Sequence, residues 1–98
     1  MSAARLPGMK PEAMLETLEQ AAAKLSIRVS YESLGSSVGT GGLCRVKGQY
    51  RVIIERRLPA RERLATLADA LSTLDTSSVH LPPSVRELID FYAVRRAS

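Results

Sequence analysis

Apolar residues recur along the chain with two different periods, and each change of period marks an element. Between Pro11 and Leu25, Met14, Leu18, Ala22 and Leu25 fall at steps of four, four and three with Leu15 alongside, while Glu16, Glu19 and Gln20 fall toward the other side. That spacing predicts an amphipathic helix over 11–25. Pro11 suits its first turn, where a missing N–H costs nothing, and Glu12 and Glu16 lie near the positive end of the helix dipole. From Ile27 the period becomes two, with Ile27, Val29 and Tyr31 alternating with Arg28, Ser30 and Glu32. This predicts a half-buried strand.

The segment Leu34 to Gly42 contains four glycines and predicts a connection without regular structure. Leu43 to Val46 and Tyr50 to Glu55 then flank Lys47-Gly48-Gln49, a hairpin signal in which Gly48 supplies a positive φ. Val52, Ile53 and Ile54 are apolar in succession, as in a central strand covered on both faces. Pro59 opens a second helix with a stripe of Leu64, Leu67, Ala68, Leu71 and Leu74, ended by Asp75-Thr76-Ser77-Ser78. After Pro82-Pro83, the Ser84 to Glu87 spacing of a capping box announces a last helix with Val85, Leu88, Ile89 and Tyr92 on one side. Arg95 and Arg96 lie near its C-terminus, where the dipole favours cations.

The order α-β-β-β-α-α predicts an α+β fold, a small three-stranded antiparallel sheet with helices packed on one face. Residues 1–10 show no periodicity and are expected to be an unordered N-terminal segment, leaving 11–98 as one α+β domain. A composition of 45% hydrophobic and 24% charged residues is that of an ordinary globular chain. One cysteine, Cys44, excludes an intramolecular disulfide and fits a reducing compartment. With no apolar run near the ~20 residues that span a bilayer and no signal-like segment, no membrane contact is expected and the cytoplasm is the expected location.

The run Arg61-Glu62-Arg63-Leu64 followed by Thr66-Leu67-Ala68-Asp69-Ala70-Leu71-Ser72-Thr73 resembles the helix of the ImmA/IrrE-type zincin metallopeptidases. In that family a helix, a small sheet with a hairpin, and a helix bearing a Leu-Ala-His-Glu-Leu-Gly-His-like motif follow in order. The resemblance covers residues 11–75 at the level of topology and of the Thr-Leu-Ala…Leu positions, and it implies a zincin-like scaffold. Zinc binding there needs two imidazoles one helical turn apart with a carboxylate beside them. In this chain Asp69 stands at the first His position, Ala70 at the Glu and Thr73 at the second His. A relative that has lost the zinc-binding pair and an unrelated α+β domain both remain open. Neither metal nor other cofactor is expected, and no enzymatic activity.

Other constellations point the same way. Cys44 with His80 has no spacing that favours nucleophile and base over a small buried thiol and a loop imidazole. The loop 35–42 lacks the Gly-Lys-Ser/Thr ending of a phosphate-binding loop. The net charge is +4, from fourteen basic and ten acidic residues, and basic residues gather at Arg45, Lys47, Arg51, Arg56 and Arg57. In the expected alternation Arg45, Lys47 and Arg51 share a face or edge, either a track for phosphates or protection of a strand edge. Phe91 and Val94 extend apolar surface beyond the core face of the last helix. These seven residues are the candidate interaction surface. The reading is a small non-catalytic interaction domain acting through protein–protein contacts, with a partner protein or a second copy of the chain; the alternative is a nucleic-acid-binding module using the basic hairpin.

Overall fold

A computed structural model of the chain describes residues 10–35 and 41–97. The expected unordered segment lies outside the described residues except for Lys10, as does the centre of the glycine-containing connection, 36–40. Helix α1 (Pro11–Lys24) leads into β1 (Arg28–Glu32), followed by β2 (Gly41–Val46), β3 (Gln49–Glu55), α2 (Ala60–Leu71) and α3 (Pro83–Ala97). The fold is α+β with a three-stranded sheet, and the core forms where α1 and α2 lie on one face of it. Helix α3 packs against α1 and α2.

The sheet differs from the antiparallel expectation in one pairing. Strand order is β1-β3-β2, with β2 antiparallel and β1 parallel to β3. The reason lies in which strand tolerates the centre. Val52, Ile53 and Ile54 suit β3 to two neighbours, whereas β1 and β2 carry polar residues or glycine at alternate positions and take the edges. The chain reverses direction from β1 to β2 and again from β2 to β3. Inserting β3 between the other two therefore sets it parallel to β1.

Alternation along the paired strands divides the sheet into two faces. Val29, Val52 and Leu43 share one register row, and Tyr31, Ile54 and Gly41 the next. Val52 and Ile54 are wholly buried in a cluster with Met14, Leu18, Leu67, Leu71 and Val85, against which Val29, Tyr31 and Leu43 also pack. The opposite face carries Arg28, Arg51 and Cys44 in one row and Ser30, Ile53 and Gly42 in the next. Truncating a wholly buried side chain such as Leu67 to Ala typically costs about 2–5 kcal/mol.

Turn chemistry explains the element boundaries. Helix α1 ends in a Schellman arrangement, in which Ile27 N–H donates to Ala22 O (2.9 Å) and Ser26 N–H to Ala23 O (3.0 Å), with Ser26 at φ 62°. The hairpin turn is one residue tighter than the sequence suggests, since Gln49 belongs to β3 and only Lys47 (φ 52°) and Gly48 (φ 81°) form the loop. Two successive positive φ angles are those of the type I′ turn, whose twist matches the strands. Gly41 and Gly42, expected in the loop, instead open β2. At Gly41 (φ 129°) a Cβ would lie 2.0 Å from Ile53 O, so only glycine fits; at Gly42 an added Cβ meets nothing within 4 Å.

The helix boundaries also shift slightly. Helix α2 stops at Leu71, short of Leu74, and Thr73 Oγ1 donates to Ala70 O (2.7 Å) beyond its end. Helix α3 begins at Pro83, so Ser84 is already helical and is not the cap. The connection between them is held by Arg86, which donates to Thr76 O and Val79 O (3.0 Å each) and to Thr76 Oγ1 (2.5 Å). Thr76 is buried there.

Ser26→Gly relieves a left-handed backbone and should raise unfolding stability by about 0.5–1 kcal/mol in urea titration. Gly41→Ala should lower it by about 2 kcal/mol or more, while Gly42→Ala stays within about 0.5 kcal/mol of the parent.

Candidate interaction surface

Sheet geometry redistributes the basic residues into two groups. Arg45 and Arg51 fall on opposite faces, because Arg45 pairs with Tyr50 and Arg51 with Cys44 in adjacent rows. The expected shared face for Arg45, Lys47 and Arg51 therefore does not form. Arg56 and Arg57 follow the far end of β3, about 26 Å or more from the hairpin tip at ~3.3 Å per residue. No single track joins them to Lys47.

In the far group the Arg57 side chain meets a carboxylate, whereas Arg56 is held through its backbone alone. Glu55 is buried, and its carboxylate accepts Leu34 N–H (2.9 Å), Arg57 N–H (3.1 Å) and Arg57 Nε (3.3 Å). The Leu34 and Arg57 amides, in that order, hold the Glu55 carboxyl below the ordinary glutamate range. Arg56 N–H donates to Glu32 O (3.0 Å), so the ends of the parallel strands are tied together. Arg63 donates to Leu58 O (2.8 Å) and Arg56 O (2.5 Å) and lies 4.7 Å over the Tyr31 ring. The Tyr31 hydroxyl donates to Glu19, and burial, then this bond, raises its pKa. Arg63 and Tyr31 thus link α1, β1 and α2 to one another.

The hairpin end is different. Parallel pairing sets Arg28 directly beside Arg51, a residue the sequence reading did not select. Lys47 projects from the turn, Arg45 lies 5.4 Å over the Tyr50 ring, and Lys24 ends the helix that leads into β1. Leu25, Ile27 and Tyr50 line one open cavity of about 260 Å³ with Leu74 and Asp75, which places the end of α1 and the start of β3 at this pole. Among the described residues, none of Lys24, Arg28, Arg45, Lys47 and Arg51 has an ion-pair partner. Like charges side by side in a sheet repel. Two large exposed apolar side chains, Val46 (44%) and Tyr50 (37%), stand among these cations. The signal for Arg28 was present in its polar position in β1, but the parallel register that gives it Arg51 as neighbour was not.

Phe91 (53% exposed) and Val94 (66%) form a separate patch on α3, with Arg95 5.5 Å over the Phe91 ring and Tyr92 edge-to-face with it at 5.2 Å. Nearby, Asp69 Oδ1 accepts Arg96 Nη2 (2.7 Å) beside an open hollow of about 690 Å³ lined with Tyr92 and Arg95. Asp69 is thus engaged with α3, Ala70 is buried, and Thr73 lies past the helix end. Among the described residues no group of three or more His, Cys, Asp and Glu is placed to hold a metal ion. Cys44 lies on the face away from the helices, whereas Val79 and Leu81, which flank the exposed His80, pack into the core on the other. The sheet separates thiol from imidazole. No described helix is long and apolar enough to cross a membrane.

Compared with family models, curated proteins and solved structures, the chain has no match in any of the three.

Because the Glu55 carboxyl titrates lower in the folded than in the unfolded chain, its stabilising contribution is complete above the ordinary glutamate pKa. It is lost as pH falls through the lowered folded value. Unfolding stability should therefore drop on acidification below the glutamate range, and Glu55→Gln should flatten that part of the profile while lowering stability at neutral pH.

Proposed function

We propose that the protein is a non-catalytic interaction domain that binds an acidic surface of a partner protein through the hairpin pole. The observation that carries this reading is the gathering of Arg28, Lys47 and Arg51 at one end of the sheet, without ion-pair partners among the described residues, beside exposed Val46, with Arg45 over the exposed Tyr50 ring on the other face. Arginine and tyrosine with an apolar neighbour are the composition of protein interface cores, and uncompensated cations select acidic partners and raise the association rate. A cytoplasmic setting goes with the single free cysteine. A distant relation to the ImmA/IrrE-type scaffold is supported by the order helix, sheet with hairpin, helix, and by the Thr66-Leu67-Ala68 run on α2. In that case contact has replaced the metal chemistry. Self-association has its own candidate surface at Phe91 and Val94.

A second reading, nucleic-acid binding, draws on the Arg28–Arg51 neighbours, which suit adjacent phosphate oxygens. The exposed Val46 beside them favours protein, since a phosphate track has no use for an apolar side chain.

Affinity capture with the parent chain and with the Arg28→Glu, Lys47→Glu, Arg51→Glu triple variant tests the assignment. The triple variant should melt within a few degrees of the parent and lose the partner the parent retains in stoichiometric amount. Equal retention by both, or none by the parent, refutes it. Oligonucleotide binding whose log K falls with log salt by about 0.9 per phosphate for duplex would instead establish the second reading.

A further inference from the structure

The sheet face turned away from the helices is divided lengthwise. Along β2 it presents Val46, Cys44 and Gly42, and Ile53 of β3 continues this apolar half. Along β1 it presents Arg28, Ser30 and Glu32, with Ser30 Oγ donating to Glu32, and at the start of β3 Arg51, so its two cations sit at the hairpin end. Ile53 is not part of the core cluster, although it stands between wholly buried Val52 and Ile54. Beside it, an open groove of about 250 Å³ at the start of β2 is lined by Leu34, Gly41, Gly42, Leu43, Cys44 and Ile53, and a Cβ added at Gly42 would meet nothing within 4 Å.

We infer that this face is the docking site for an acidic amphipathic helix of the partner protein. The inference rests on the protein-binding reading above and names the partner's chemistry. Charge complementarity commits the occupant, because a carboxylate flank on the helix meets Arg28 and Arg51 while its apolar stripe lies over Val46, Cys44 and Ile53. Dimensions agree. Val46 to Gly42 spans about 13 Å at ~3.3 Å per residue, slightly more than two helical turns. Three strands at ~4.8 Å spacing give a face about 10–14 Å wide, the diameter of one helix. A helix laid along β2 thus contacts the face through side chains at i, i+3, i+4 and i+7.

The probe is a capped helical peptide of about 18 residues with Leu at those spacings, Glu along one flank and Ala elsewhere, labelled at its N-terminus for fluorescence anisotropy. Location is read from the rate at which iodoacetamide alkylates Cys44, the sole cysteine, half-buried on this face. The peptide should slow alkylation saturably, and Gly42→Val, which fills the groove without a clash at its Cβ, should weaken anisotropy binding about tenfold. Arg51→Gln, a second change on the same face, should weaken it about three- to tenfold. Unchanged circular dichroism shows that both variants fold.

No slowing at about 1 mM peptide overturns the inference. So does equal binding of a Leu→Ser peptide or insensitivity to Gly42→Val, either of which reduces the contact to charge alone. Slowing that rises with protein concentration in the absence of peptide assigns the face to a second copy, and stronger protection by an oligonucleotide assigns it to nucleic acid; both overturn it. If the capture experiment succeeds while the peptide fails, the helix inference falls and the interaction domain stands. Failure of capture removes the reading beneath it.

Discussion

Burial of Val52 and Ile54 at the centre of the sheet is the constraint on which the remaining architecture depends. Two wholly buried side chains on one strand require a layer above them, and α1 and α2 supply it through Met14, Leu18, Leu67 and Leu71. The same requirement excludes β3 from an edge. With β3 central and the chain reversing between β1 and β2, β1 runs parallel to it, and in the observed register Arg28 neighbours Arg51 and Glu55 ends beside the exit of β1. The charged pole and the carboxylate tie are both consequences of where two aliphatic residues are placed.

The two ends of β3 put similar side chains to different uses. Near its C-terminal end Arg57 and Arg63 meet a buried carboxylate, backbone carbonyls and an aromatic ring, although the Arg57 side chain stays largely exposed. At its N-terminal end exposed Arg28 and half-buried Arg51 are register neighbours. A cation that holds loops in place and a cation that repels its neighbour look alike in a sequence. Only the presence of acceptors within reach separates them.

Periodic elements were legible in the sequence because each repeats its signal. Met14, Leu18 and Ala22 mark α1, alternation from Ile27 marks β1, and Gly48 marks the hairpin. Strand order was not legible, since nearest-neighbour pairing is the simplest arrangement and nothing local in β1 states that β3 will lie beside it. Gly41 illustrates a second limit. Glycine ordinarily argues against a strand, yet here its missing side chain permits the close approach to Ile53 O that starts one. On the candidate surface, Arg45 and Arg51 share a face only if the turn has three residues instead of two, and Arg28 gains its arginine neighbour only through the non-local β1–β3 pairing.

The parallel pair has a further consequence for how the molecule assembles. Arg28 and Arg51 are far apart in sequence, whereas β2 and β3 meet across a two-residue turn, so the hairpin closes with far less loop entropy than the β1 pairing. Strand β1, secured late and from one side only, is the natural first element to detach. Its departure bares a central strand carrying three consecutive aliphatic residues, a template for pairing with another chain. The Glu55 and Arg56 contacts to the end of β1 thereby double as a guard against aggregation.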